Sequence, residues 1–213
     1  MSKIFYPVQE KYISSFRKPQ DDLITEMEAF AKLNSIPILS WQSAEFIEQL
    51  VQMINPKRVL EIGTAIAYTS IRIARKLKQN CNVDTIELSR QNIKSAKGFI
   101  KRSEVEEKIN LIEGDALNIL PGLKKKYDLI FLDSDKEDYI KLFGYAMSLL
   151  KRGGVMVVDN LLWHGLTATK KIPVKLKTST YHVREFNKVF IKHPELITTI
   201  LPVGDGLGLG IKK

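Results

Sequence analysis

The chain of 213 residues contains a single cysteine, Cys81. One thiol cannot close an internal disulfide, which fits a reducing compartment, and Cys81 reads as a small core or surface residue rather than a nucleophile. No apolar run is long enough to cross a bilayer, and the opening "MSKIFYPVQEKY" has no apolar core of a secretory signal. A cytoplasmic protein without membrane attachment is therefore expected. Low-complexity tracts and internal repeats are absent as well. What remains is a globular composition, 44% hydrophobic and 27% charged. The length suits a single domain over residues 1–213, with an N-terminal helical part over 1–55 and a core over 56–213.

Acidic residues are in deficit. Lys and Arg number 33 against 24 Asp and Glu, a net charge of +9. That balance suits a polyanionic partner such as nucleic acid. It is concentrated between Lys170 and His193, where six lysines and Arg184 face one acid, Glu185. A solvated, lysine-rich surface is the plain alternative.

The hydrophobic pattern has two periods. The first forty residues read as helical. "PQDDLITEMEAFAKLN" offers Asp21 or Asp22 as N-cap and sets Leu23, Met27, Phe30 and Ala31 on one face. After a break at "SIPILS", "AEFIEQLVQMI" carries Phe46, Ile47, Leu50, Val51 and Ile54 on a second stripe. From there "RVLEIG", "CNVDTIEL", "KINLIEGD", "YDLIFLD" and "GGVMVVDN" are short β-branched runs separated by helical stretches. Strands alternating with helices imply βαβ units and a parallel sheet covered on both faces. At the end "LITTILPV" and "LGLGIKK" flank "GDG", which predicts an antiparallel hairpin. The expected fold is α/β: a Rossmann-like sheet of five parallel strands plus a C-terminal antiparallel hairpin, helices on both faces and extra N-terminal helices.

Ligands of such sheets sit beyond the carboxyl ends of the strands. The first strand ends at Gly63, where a glycine permits a tight turn and close backbone approach. Glu87, ending the second strand, suits the two hydroxyls of a ribose. Asp115 follows the third and suits an adenine edge or a turn. These residues describe a pocket for an adenosine-containing cofactor. The dinucleotide fingerprint needs three glycines around a pyrophosphate, and "GTAIAYTS" keeps only Gly63, so a cofactor without phosphates fits better. Asp133 and Asp159 end the fourth and fifth strands, with Asn160 next along. Two carboxylates and an amide oxygen are a hard donor set suited to Mg²⁺ or another hard divalent cation, although unrelated aspartates at strand ends are also common in α/β proteins.

Taken in order, "LEIGTAIAYTSIRIA", "IEL", "EGDAL", "YDLIFLDSDKEDY", "GGVMVVDNLLWHG" and "GDGLGLGIK" resemble the catechol and caffeoyl-CoA O-methyltransferase family. That family uses S-adenosylmethionine and a divalent metal. The resemblance runs from about Ile36 to the end. It implies Asp133, Asp159 and Asn160 as metal ligands and Lys136 as the catalytic lysine. It implies a cofactor pocket of Leu39, Gly63, Thr69, Glu87, Asp115, Ala116, Asp133 and Asp135, and Trp163 against the substrate. The family usually has glycine where this chain has Ala67; a positive φ there would cost alanine about 1 kcal/mol and reshape the loop slightly.

Within the family, "EIGTAI-Y", "IPI" and "GDGL" look most like bacterial tRNA methyltransferases that convert wobble 5-hydroxyuridine to 5-methoxyuridine. That resemblance implies a tRNA anticodon arm as partner, and the basic segment just after Asn160 is placed to supply Lys170, Lys171 and Arg184 as substrate contacts. Lys175 and Lys177 add positive charge, and Trp163 or Tyr181 is placed to stack on a base. The alternative substrate is a small catechol or caffeoyl-CoA-like phenol. His164 and His182 are expected as neighbouring or surface residues rather than metal ligands. Many relatives pair, so a homodimer is expected.

Overall fold

The computed structural model describes residue 4 and residues 6–213; expectations for residues 1–3 and 5 lie outside the described residues. Three helices come first, α1 (Pro7–Ser14), α2 (Asp22–Leu33) and α3 (Trp41–Ile54). Asp21 is the cap of α2, its carboxylate accepting the Ile24 N–H at 3.2 Å. The stripe of α2 turns Ile24, Met27 and Ala31 into the core, with Leu23 and Phe30 half-buried beside them. Ser40 caps α3 through the Ser43 N–H at 3.2 Å, and Asn55, with φ 47°, ends it in the left-handed conformation typical of helix termini. None of the residues of α1 is buried.

The rest alternates as expected. β1 (Arg58–Ile62), α4 (Tyr68–Lys76), β2 (Asn82–Glu87), α5 (Arg90–Lys101), β3 (Ile109–Glu113) and α6 (Ala116–Ile119) lead to β4 (Tyr127–Leu132). α7 (Tyr139–Leu149), β5 (Leu150–Val158), α8 (Lys177–Ile191), β6 (Leu196–Leu201) and β7 (Leu207–Lys212) complete the chain. The sheet order is β3-β2-β1-β4-β5-β7-β6. The first five strands pair in parallel, and β7 runs antiparallel between β5 and β6. Strand residues alternate between two cores. Val59, Leu129 and Val155 pack with α2, α3, α4 and α5, while Leu60, Ile130 and Met156 pack with α7 and α8. No helix among the described residues is long and apolar enough to cross a membrane.

Two acids of this sheet are buried, Glu61 and Asp84, and Glu61 is the one whose titration shifts upward. Glu61 of β1 is 1% exposed and accepts hydrogen bonds from the hydroxyls of Ser70 and Thr85, the latter at 2.6 Å. Burial pushes its carboxyl up to about 8, from an ordinary 4.5. Between those values the folded chain holds a proton that the unfolded chain has released, so stability is full below about 4.5 and falls as pH rises toward 8. The loss is at most about 1.4 kcal/mol per pH unit. Glu61→Gln, which mimics the protonated acid, is expected to flatten this slope. Urea midpoints at pH 5 and pH 8.5 test it; identical slopes in variant and parent would rule it out.

Candidate active site

The strand register builds the site. Ile62 pairs with Ile86 on one side and Leu132 on the other, and Leu132 pairs with Val158. The residues that follow, Gly63, Glu87, Asp133 and Asp159, therefore emerge in one row. The ladder continues through them: Gly63 N–H donates to Ile86 C=O at 3.1 Å, Asp133 N–H to Ile62 C=O at 3.0 Å and Asp159 N–H to Leu132 C=O at 3.1 Å. Gly63 has φ 102°, and a Cβ on it would lie 1.8 Å from the Asp133 carbonyl oxygen. The glycine is required by the neighbouring strand end, before any ligand is considered.

Above this row lies a cavity of about 830 Å³. Of the residues expected at a cofactor, Gly63, Glu87, Asp115, Ala116, Asp133 and Asp135 line it. Glu87 receives the Ala65 N–H at 2.7 Å and the Ser89 N–H at 2.8 Å, which fixes its carboxylate and leaves lone pairs for ribose hydroxyls. Asp115 faces the cavity but also caps α6, accepting the Leu117 N–H at 2.8 Å, so the turn role is realised. Two expected residues are not in the wall. Leu39 is buried in the helical core, its neighbours Pro37 and Ile38 taking the place, and Thr69 is buried in the first turn of α4. Ala67 adopts φ 68°, so the strained conformation is kept despite the missing glycine. Tyr68 helps to hold it: its hydroxyl meets Glu28 and Arg72, each at 2.7 Å, and Arg72 pairs with Glu48 at 2.6 Å, fastening α4 to α2 and α3.

Lys136 stands at the other end. Its Nζ lies 2.6 Å from Asn160 Oδ1, 2.6 Å from the Tyr139 hydroxyl, 2.9 Å from the Ser134 carbonyl and 3.1 Å from Asp133 Oδ1. Three protons cannot serve four acceptors at once, so the amine is shared among them. The Tyr139 and Trp163 rings lie 4.6 and 5.6 Å from Nζ and favour a cation between them. Tyr139 in turn donates to the Asp159 carbonyl at 3.1 Å. Burial, then the charges of Asp133 and Asp159, hold the Tyr139 hydroxyl well above the ordinary phenol range. Glu137 and Asp138 open the short helical turn before α7, as expected of acids at a helix start.

The donor set fits a hard cation. Asp159 is 4% exposed and its Oδ1 has no hydrogen-bond partner. Burial first and Asp133 second push its carboxyl well above the usual range, the behaviour of a buried acid that wants positive charge nearby. Among the described residues no three His, Cys, Asp or Glu side chains gather as a metal site. The available set is the two carboxylates and the Asn160 amide oxygen. His164 is exposed and lies 3.7 Å from Asp205, and His182 packs against the exposed Tyr181.

Of the expected substrate residues, only Trp163 lines the cavity, its indole N–H buried and unpartnered. Lys170 and Lys171 are exposed beyond the wall, as are Lys175 and Lys177. Arg184 does not line the cavity: its guanidinium donates to the carbonyls of Leu166, at 3.0 Å, Thr167, at 3.1 Å, and Thr169. It pins the loop that leads from Trp163 to α8, because those three carbonyls lie in a segment with few backbone partners of its own. Tyr139 and Asp205 were not foreseen as site residues. Tyr139 stands three positions after Lys136, a helical spacing that could have pointed to it. The "GDG" signal puts Asp205 on the hairpin turn, and nothing local directs it to the site.

Similarity to known proteins follows the same residues. A family model described as O-methyltransferase matches residues 16–213. Caffeoyl-CoA O-methyltransferase of Medicago sativa is 31% identical over 182 residues, covering 81% of this chain and 74% of that one. A crystal structure of a candidate caffeoyl-CoA O-methyltransferase from Staphylococcus aureus superposes with TM-score 0.89 at 32% identity, covering 97% and 100% of the two chains. The O-methyltransferase TomG of Streptomyces achromogenes, solved in complex with S-adenosylmethionine, does so with TM-score 0.85 at 25% identity, covering 100% and 99%. By its matched length, its fold and its row of strand-end residues, the chain belongs to the O-methyltransferase family.

Proposed function

We propose that the protein transfers a methyl group from S-adenosylmethionine to a ring hydroxyl that has a second oxygen beside it, and that its substrate is 5-hydroxyuridine at the tRNA wobble position. The observation that carries the reading is the convergence of Lys136, Asp133, Asp159 and Asn160 beneath Trp163, at one end of a cavity whose other end holds Glu87. When bound, the cofactor supplies the methyl group and Mg²⁺ or another hard divalent cation at Asp133, Asp159 and Asn160 makes a vicinal hydroxyl more acidic.

The chain's own residues do the rest. Glu87 orients the cofactor's ribose from a carboxylate already fixed by two backbone donors. In its neutral amine form Lys136 Nζ takes the substrate hydroxyl's proton and becomes the ammonium, and its contacts with Tyr139 and Asn160 hold it at the place where that proton leaves. Trp163 supplies a flat wall for a planar ring and helps to keep water out. A catechol and 5-hydroxyuridine both offer two adjacent oxygens, so charge separates them. The exposed Lys170, Lys171, Lys175 and Lys177 form no ion pair among the described residues, which leaves them free for phosphates.

A second reading, a caffeoyl-CoA-like phenol as substrate, is favoured by the names of the Medicago sativa and Staphylococcus aureus relatives. Incubation with tRNA from cells lacking the gene, S-adenosylmethionine and Mg²⁺, followed by nucleoside mass spectrometry, tests the first reading. A gain of 5-methoxyuridine is expected; methylation of labelled catechol or caffeoyl-CoA with tRNA untouched would favour the second. Replacing Lys170, Lys171 and Lys175 together by alanine is expected to weaken tRNA binding and to flatten log K against log salt by about 2. An unchanged slope counts against RNA.

A further inference from the structure

We propose that Asp205, carried on the turn between β6 and β7, is a positioning residue that sets both the Asn160 amide and the Trp163 wall. This rests on the reading of Asn160 as a cation ligand. The segment after β5 is strained: Asn160 has φ 63°, Trp163 φ 46° and His164 φ 55°. Non-glycine residues in this region cost about 1 kcal/mol or more each and persist only where their surroundings over-determine them.

The surroundings here are Asp205 and its neighbour. One carboxylate oxygen of Asp205 accepts the His164 N–H, and the other accepts Asn160 Nδ2 at 3.3 Å. The Asp205 carbonyl accepts the Leu162 N–H and the Gly206 carbonyl the Leu161 N–H, each at 2.9 Å. Gly206 makes the approach possible: with φ 90°, a Cβ there would lie 2.5 Å from Leu162 Cγ and 2.7 Å from its backbone nitrogen. Four residues of the strained segment are thus held by two residues of a distant turn.

The chemistry of the contact gives it a direction. A carboxylate only accepts, so Asp205 selects the NH₂ end of the Asn160 amide and turns Oδ1 the other way, to within 2.6 Å of Lys136 Nζ and toward Asp133 and Asp159. A flipped amide would set oxygen against oxygen. Asp205 touches neither cavity nor ligand in this arrangement; it acts through Asn160 and through the backbone of His164. Partners of this kind typically change cation affinity 10–100-fold when removed.

Asp205→Ala and Asp205→Asn, made with Trp41→Phe so that Trp163 is the remaining tryptophan, test the proposal. S-adenosylmethionine affinity by calorimetry reports an intact fold. Mn²⁺ affinity by electron paramagnetic resonance reports Asn160, and Trp163 emission with iodide quenching reports the wall. Asp205→Ala is expected to bind the cofactor within about threefold of the parent, to bind Mn²⁺ about 10–100-fold more weakly and to expose Trp163. In Asp205→Asn one oxygen remains to accept, so at least one of the Mn²⁺ and Trp163 readouts is impaired. Unchanged Mn²⁺ affinity and unchanged Trp163 emission in a variant that binds the cofactor overturn the proposal. Should Asp205→Ala lose cofactor binding, the asparagine variant is judged by the same criterion. A parent that takes up no Mn²⁺ overturns the cation reading instead, and Trp163 emission then judges the hold of Asp205 on the turn.

Discussion

Asp159→Ala is expected to abolish methyl transfer at every concentration of divalent cation, to below about 1% of the parent rate, while cofactor affinity stays within about threefold. The variant is also expected to bind Mn²⁺ more than about 100-fold more weakly, since losing a ligand costs more than losing a ligand's neighbour. The reason lies in the surroundings of the carboxylate. It is 4% exposed, its Oδ1 has no protein partner, and a second acid stands beside it. Lys136 eases the burial of this carboxylate only in part, against the neighbouring Asp133, and a bound cation would offset more of that cost. Glu87 and the Gly63 turn, the proposed cofactor contacts, do not touch Asp159, so cofactor binding should survive. Calorimetry with Mn²⁺ and with S-adenosylmethionine, beside a turnover assay with and without chelator, separates the two. Full turnover in chelator, by parent or variant, would end the assignment.

Lys136→Ala should lower kcat by about 100-fold or more, the range for loss of a positioned proton acceptor. The KM for S-adenosylmethionine should barely move. The surroundings suit the proposed base: the side chain is 10% exposed, bounded by two aromatic rings and in reach of Asp133 and Asn160. Lys136→Met keeps most of the volume and apolar stem while removing the amine, so it distinguishes proton transfer from packing. If the methionine variant keeps more than about a tenth of the parent kcat, Lys136 is a packing residue and the proton leaves by another route. A gradual rise of the residual rate with pH is expected, because hydroxide and water then replace the amine.

Much of the site was legible before the fold was known, for a simple reason. In a parallel sheet the functional residues follow strand ends, and strand ends are where apolar runs stop. "YDLIFL" stops at Asp133 and "GGVMVV" at Asp159, so the row could be read from hydrophobicity alone. The residues that the structure sets outside the cavity wall are those whose role depends on where a side chain points within a loop or helix turn. Arg184 looked like one more cation in a basic stretch, yet it closes on three carbonyls of the preceding loop. Leu39 and Thr69 stand next to wall residues in sequence and are turned into the interior. Gly63 was recognised for its turn, whereas the decisive constraint is the Asp133 carbonyl on the adjacent strand.

The sequence by itself determined the alternation of strands and helices, the C-terminal hairpin, and the identity of the acids, lysine and amide that end the strands. Period-2 and period-3.6 patterns and turn residues are local, and local information is enough for them. Only the tertiary structure decided how those ends meet. Register brings Gly63, Glu87, Asp133 and Asp159 into one row, and Lys136 reaches Asn160 across 24 residues of chain. The β6–β7 turn sets Asp205 against the same amide from 45 residues away. Such contacts depend on strand order and on the twist of loops, which no short window of residues encodes.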